Sequence, residues 1–544
     1  MSGNPIRPLI EPTDVVAGAI DARLARAATE RVAERLFERD DTLWGPAGQP
    51  EVADRLGWLD VAERMQRNLS DLLLFAAQAR DDGYRHVVVL GMGGSSLAPE
   101  VFRRSFGRVD DGLELHVLDS TDVHAIHALE AEIELEQALF LVSSKSGGTI
   151  EPLSMLHHFW ELTGGRSEQF CAITDPGSGL EALAKERGFR KIFSGDPEIG
   201  GRYSALSPFG IVPAALAGYP VDALLRGGVA VARACRESDP VVNPGVNLGC
   251  VLGELALAGR DKLTFIVDEP VASFGLWVEQ LTAESLGKHG KGILPVAGEP
   301  VGTEAVYGAD RVIAYVRGPA AENFAGVEAL TDNGMPLITT EIESAADLGE
   351  LMMLWEVAIA VCGWVLELNP FDQPNVQAAK DKTNAVLAGA PPQITPADDD
   401  QLHALLASAP PSYLAIQAFT APDDELDRAI TELRVAIRAR TKMATTTGYG
   451  PRYLHSTGQL HKGGPPTGRF LQLLAQSGPD IDAGNGLTFE TLKRAQADGD
   501  LLVLREHGLP AERVLLGDDP VATIQEIKDV VLSGHASGQS KEQL

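Results

Sequence analysis

From Arg85 to about Leu216 the chain repeats one alternation: a short, mostly apolar run, a polar turn, then a segment with helical spacing. The runs are HVVVLG, LELHVLD, ALFLVSS and QFCAITD, and SMLHHFWELT and GLEALAKERG lie between them. Strands covered on both faces read as continuous apolar runs, so this alternation predicts a parallel, doubly wound α/β sheet. A second alternation begins near Leu263 with LTFIVD, passes through FGLWVEQLTAESLG and reaches RVIAYV and PLITTEI. The segment that closes it, DLGELMMLWEVAIAVCGWVLEL, is apolar on nearly every face and is assigned to a core.

At 544 residues the chain exceeds one ordinary core. Its start, to residue 80, carries apolar residues at helical spacing without clear strands and reads as a helical cover. The stretch GAPPQITPADDD from Gly389 to Asp400 reads as a linker. Beyond it come a strand YLAIQAF, a helix DDELDRAITELRVAIRAR, a loop GYGPRYLHSTGQLHKGGPPTG, a strand RFLQLL and a helical end. The predicted divisions are therefore 1–80, 81–235, 236–395 and 396–544.

With 46 basic against 76 acidic residues, the formal charge of −30 argues against nucleic-acid binding and against docking on anionic membranes. Cys171, Cys235, Cys250 and Cys362 show no CxxC spacing and are read as reduced core residues. The start MSGNPIRPLIEP has no apolar signal core, and no run of about 18 apolar residues suggests a membrane span. A cytoplasmic location is the expectation.

Two turns carry the chemistry. VVVLGMGGSSLAPEVF places Gly91 to Ser96 between a strand and a helix, where backbone N–H groups and the helix dipole favour an anion. A dinucleotide fingerprint is the competing reading: Gly91 and Gly93 fit its first two glycines and Asp119 its ribose acid, but Ser96 stands at the third glycine. The next strand ends in a second polar turn with Ser143, Ser144, Lys145, Ser146 and Thr149. Hydroxyls, free amides and an ammonium at the carboxyl ends of neighbouring strands suit a phosphomonoester better than a pyrophosphate. The expected phosphate ligands are Gly94, Ser95, Ser144, Lys145, Ser146 and Thr149.

GMGGSS, SSKSGGT and GGRYSALS resemble the phosphosugar-binding "SIS" domains of the glucose-6-phosphate isomerase family, and FDQPNVQAAK resembles that family's second signature. The resemblance spans roughly Arg85 to Lys380. The loop YLHSTGQLHKGGP is similar to the isomerase portion of proteins fused to transaldolase; no stretch long enough for a transaldolase barrel precedes it here. The resemblance implies two SIS-type sheets, an aldose–ketose isomerase acting on a sugar phosphate through an enediolate, no cofactor or metal, and a homodimer.

It also implies roles. Glu284, in a stretch similar to the family's E-S-x-G-K with Leu286 replacing the usual asparagine, would be the base, with Glu279 as the neighbouring claimant. Arg202, after two glycines, would stabilise the enediolate, with Gly201 and Gln280 also near the substrate. Without the resemblance Arg202 would read as an ion pair with Asp196 or Glu198. Lys380 would assist ring opening, although Asn375 and Gln377 depart from the signature.

The ring-opening histidine stays open. The stretch Val301 to Val316, where the common family order puts it, has none. The later loop offers His455 and His461 around Gly458 and Gln459, and His289 adjoins the glutamate's segment. His157 and His158 have no metal-ligand spacing and read as packing or surface. The rival functions are a non-catalytic phosphosugar sensor, an isomerase of another sugar phosphate, and a nicotinamide dehydrogenase.

Overall fold

The computed structural model describes residues 5–11, 14–389, 392–476 and 478–533. A short strand, β1 (Leu9–Glu11), precedes the first sheet, which holds β2 (His86–Gly91), β3 (Glu114–Leu118), β4 (Ala138–Ser143), β5 (Phe170–Thr174) and β6 (Lys191–Ser194). Its order is β3-β2-β4-β5-β6, every pair parallel. Every residue of β2, β4 and β5 is buried, as their unbroken apolar runs require. The strand order reverses between β2 and β4, and Gly91 pairs with Ser143, so the two polar turns leave the sheet side by side at its switch point.

The second sheet contains β7 (Lys262–Val267), β8 (Leu294–Val296), β9 (Arg311–Arg317) and β10 (Leu337–Glu341). Its order is β1-β10-β9-β7-β8, with β1 antiparallel on β10. The start of the chain is thus not purely a helical cover: Leu9–Glu11 extends a sheet edge by pairing with Leu337–Thr339, far downstream. The helix Leu348–Leu366 is long and apolar enough to cross a membrane by length and composition, contrary to the expectation that no such run exists. It is instead the centre of the main core, packed by the helices Val221–Ala234, Pro244–Leu257 and Gly275–Leu286.

Of the expected linker, residues 390 and 391 lie outside the described residues, 392–398 is irregular, and Asp399 begins the helix Asp399–Leu406. The third sheet has β11 (Tyr413–Phe419), β12 (Ala444–Tyr449) and β13 (Gly468–Ala475); a small hairpin of β14 (Asp482–Gly484) and β15 (Leu487–Thr488) intervenes before β16 (Ala511–Leu516). The parallel order is β12-β11-β13-β16. The described chain does end in a helix, Pro520–Ser533, but an unexpected strand, β16, lies between it and the helix Phe489–Glu506; Arg513 of β16 is buried against Asp498 at 2.5 Å and Gln472 at 2.7 Å. The expected loop 448–468 also differs, since Arg452–His455 and Gly458–Gly463 coil into short helical turns.

The second and third sheets are tied by buried ions. Glu299 meets Arg311 and Arg438, each at 3.2 Å, and Arg434 donates to the carbonyls of Ala297 and Gly298. This junction fixes where the loop after β12 reaches the first sheet. The four cysteines are buried and free.

Candidate active site

The GMGGSS turn is a tight strand-to-helix connection in which Gly93 has φ +53°. A Cβ on Gly94 would lie 2.1 Å from the Gly201 carbonyl, and one on Gly93 would lie 2.8 Å from the His455 carbonyl. Only glycines allow these three loops to meet. Ser204 Oγ donates to the carbonyls of both Gly201 (2.6 Å) and Gly94 (3.2 Å) and joins the first two. Ser95 and Ser96 are buried, and Ser96 Oγ donates to Asp119. Asp119 receives a two-pronged ion pair from Arg452 at 2.7 and 2.8 Å. That carboxylate is spent on fastening the third region to the first sheet, which removes the ribose role the fingerprint reading required.

In the second turn Thr149 caps the helix Ile150–Leu162, and Ser144 Oγ donates to Thr149 Oγ1 at 3.2 Å. Ser146 is exposed. The Lys145 ammonium is paired with Asp175 and also donates to the Asp196 carbonyl at 2.9 Å. In this arrangement it is turned from the hydroxyls it was expected to join.

This turn forms one wall of a cavity of about 240 Å³. Ser146 and Thr149 line it, opposite Lys380 on the exposed face of the helix Val376–Ala388, with His455 between them and the helix Phe489–Glu506 behind. His455 Nε2 lies 2.8 Å from Glu151 Oε1, which also accepts from Gln496 Nε2 at 2.7 Å. Burial alone would raise the Glu151 pKa, but His455 and the nearby Lys380 hold it below the ordinary carboxylate value.

His461 is placed elsewhere. It is buried, with Nδ1 3.0 Å from the Tyr413 hydroxyl and its ring edge-on to Phe470, and burial with Lys462 beside it holds its pKa down to about 3. It is not among the cavity's lining residues. His289 adopts a left-handed backbone, φ +56°, in the turn after Lys288.

Arg202 and Glu284 meet each other, although, like His461, neither is among that cavity's lining residues. Arg202 Nη2 lies 3.2 Å from Glu284 Oε1, both side chains buried. Nη1 donates to the carbonyls of Glu284, Pro370 and Asp372, and Nη2 to Gln373 Oε1 at 2.7 Å. The alternative partners are engaged elsewhere: Asp196 by Arg64, Glu198 by Arg39. Gln280 Nε2 donates to Glu284 Oε2 (3.0 Å) and to the His455 carbonyl (2.8 Å), so one amide spans the base and the histidine loop. Its buried Oε1 has no hydrogen-bond partner among the described residues. Glu279 points instead to a separate cavity with Arg434, and burial raises its pKa to about 7.

Several functional contacts were not anticipated from the sequence: Glu151 and Gln496 behind His455, Gln373 on Arg202, and Lys288. The buried Lys288 ammonium donates to Asp372 Oδ1 and its carbonyl, both at 2.6 Å; burial, and then Arg202, lower its pKa to about 8. Gln459 donates to the Gly287 carbonyl and to Asn375 Oδ1 and accepts from the Asn375 N–H. This stitches the Glu284 helix, the Lys380 segment and the histidine loop together. Glu151 had one signal, its place two residues after Thr149 in the phosphate turn.

A model of the family described as phosphoglucose isomerase matches residues 76–294. The chain is 30% identical over 380 residues to a glucose-6-phosphate isomerase of Rubrobacter xylanophilus, covering 59% of this chain and 87% of that protein. It is 28% identical to the glucose-6-phosphate isomerase of Mycoplasmopsis pulmonis, covering 62% and 91%. A hypothetical protein from Thermus thermophilus superposes with a TM-score of 0.58 at 25% identity, covering 70% of this chain and all of that one. A Chlamydia trachomatis glucose-6-phosphate isomerase shares the fold at the same TM-score of 0.58 and 20% identity, covering 68% and 86%.

Proposed function

The chain belongs to the glucose-6-phosphate isomerase family, and from that premise we propose that it interconverts glucose 6-phosphate and fructose 6-phosphate between the cavity of the Thr149 turn, Lys380 and His455 and the Arg202–Glu284 pair, which Gln280 ties to the His455 loop. The observation that carries this assignment is the Gln280 amide. It bonds the Arg202-paired Glu284 on one side and the His455 loop on the other.

The substrate phosphate rests on Ser146, Thr149 and the positive end of the helix Ile150–Leu162, with Ser95 and Ser144 in the turns behind. His455, oriented by Glu151, protonates the ring oxygen as its bond to C1 breaks, while the C1 hydroxyl loses its proton to water and Lys380 holds the resulting carbonyl oxygen. Glu284 takes the proton from C2 and returns it to C1 across the enediolate, while the C2 hydroxyl proton passes to O1 through water, leaving an alcohol at C1 and a carbonyl at C2. Arg202 is oriented by the carbonyls of Glu284, Pro370 and Asp372 and is paired with the Glu284 carboxylate; as Glu284 takes up the C2 proton, the guanidinium is released to face the enediolate charge. Protein groups and water supply each step, so metal-independent turnover is part of the proposal, as is work in a reducing, cytoplasmic setting.

A homodimer, which the family resemblance implies, is part of the proposal, and specific activity measured across a dilution series tests whether assembly matters to turnover.

The test is conversion of fructose 6-phosphate to glucose 6-phosphate in EDTA, read through a coupled dehydrogenase beside the Glu284→Gln protein. Turnover lost by about a hundredfold or more in the variant is expected. Near-normal turnover in Glu284→Gln would remove the base from its role; sugar-phosphate binding without turnover in the parent would favour a sensor.

A further inference from the structure

The first sheet carries a second cluster at the edge opposite its phosphate turns. His86 opens β2, and Glu114 opens β3 with His116 two residues on. The register pairs His86 with Glu114, so His86, Glu114 and His116 share one face of the sheet. His86 Nδ1 and His116 Nε2 are 3.2 Å apart, and Glu114 Oε2 lies 3.9 Å from His86 Nδ1. All three potential donor atoms fall within 4.8 Å of one another.

Two imidazole nitrogens bound to one tetrahedral zinc at about 2.0–2.1 Å stand roughly 3.3 Å apart, close to the separation found here. The outer nitrogen of His116, Nδ1, is 3.5 Å from Glu132 Oε2. A carboxylate in that position fixes the tautomer of a metal-bound histidine and raises its basicity. Two histidines and one carboxylate form a donor set suited to zinc, with one position left for water, and unlike the all-oxygen sets of magnesium or calcium.

We propose that His86, Glu114 and His116 form a zinc site that clamps β2 to β3, with Glu132 orienting His116 from outside the metal's coordination sphere. Five strand steps separate His86 from Gly91, about 17 Å, so the site acts on the sheet and takes no part in the isomerisation. The competing arrangement is a hydrogen bond between two neutral rings, with Glu114 held by Arg108 at 3.2 Å.

Metal-free full-length protein is titrated with Zn²⁺ against a chromophoric chelator near neutral pH, and separately with Co²⁺ as a spectroscopic probe. One zinc per chain is expected. His116→Ala should abolish the visible cobalt bands, and Glu132→Gln should weaken zinc binding about tenfold. His86 is more buried and riskier to replace, so Glu114→Gln, on a half-buried side chain, is the second ligand variant; circular dichroism checks that each variant folds. Absence of stoichiometric binding, or binding unchanged in both His116→Ala and Glu114→Gln, would leave the ring pair a hydrogen bond and overturn the site. Isomerase turnover that tracks zinc occupancy would overturn its separation from catalysis.

Discussion

His455 and His461 lie six residues apart in one loop, and the fold sets them in opposite surroundings. His455 is half-buried at the cavity, 2.8 Å from a carboxylate, with its backbone carbonyl held by Gln280. His461 is enclosed by Tyr413 and Phe470 with a cation beside it, and its ring resists protonation. A histidine that must lend a proton near neutrality needs a carboxylate partner and access to the substrate; burial among aromatic rings denies it both. Two carboxylates repeat the contrast: Glu151 is pulled down by His455, whereas Glu279 is pushed up by burial.

The sharpest break of this contrast is His455→Asn, for which kcat is expected to fall about 10²–10⁴-fold with the melting temperature little changed. Equal losses in His455→Asn and His461→Leu would erase the distinction. Next, Glu151→Gln should lower kcat roughly ten- to hundredfold with KM nearly unchanged, and less severely on open-chain than on cyclic substrate. Because the folded-state pKa of Glu151 is depressed, its stabilising contribution is present above about pH 4.5 and lost as pH falls through the lowered value. Urea denaturation should therefore show the parent's advantage over Glu151→Gln shrinking in acid. His461→Leu should keep turnover near the parent's while costing about 1–3 kcal/mol, since the buried Tyr413 hydroxyl loses its partner.

The last effect, on stability alone, has the opposite sign. Glu279 has a raised folded-state pKa, so the parent loses stability as pH rises from about 4.5 to about 7. Glu279→Gln is expected to be the more stable protein above neutrality, by up to about 3 kcal/mol, with the gap closing below pH 4.5. A gap that does not vary with pH would show that the carboxyl is solvated in both states.

The first sheet was legible because β2, β4 and β5 are buried on both faces and their turns are built from glycine and serine. The third was only partly so. β12 reads ATTTGY, whose Thr445 and Thr446 are buried in a strand paired with β11 without forming an apolar run, and β16 sets Glu512 beside Arg513, the latter buried with its ion pair to Asp498 and its hydrogen bond to Gln472. The same distinction holds in the site. Arg202 and Glu284 sit in motifs whose neighbours mark them, whereas Glu151 looks like an ordinary acid in a helix's first turn until a histidine 304 residues away arrives beside it. The choice between His455 and His461 was likewise tertiary, since both share the same local composition.

The helix Leu348–Leu366 bears on how the chain is made. Left exposed during synthesis, such a segment would be a target for membrane insertion or for clumping with other nascent chains. The helices that enclose it, Val221–Ala234, Pro244–Leu257 and Gly275–Leu286, all precede it and leave the ribosome first. Its berth is thus ready when it emerges. A circular permutant that began at this helix would release it with no berth prepared, and would test whether gene order protects the protein at birth.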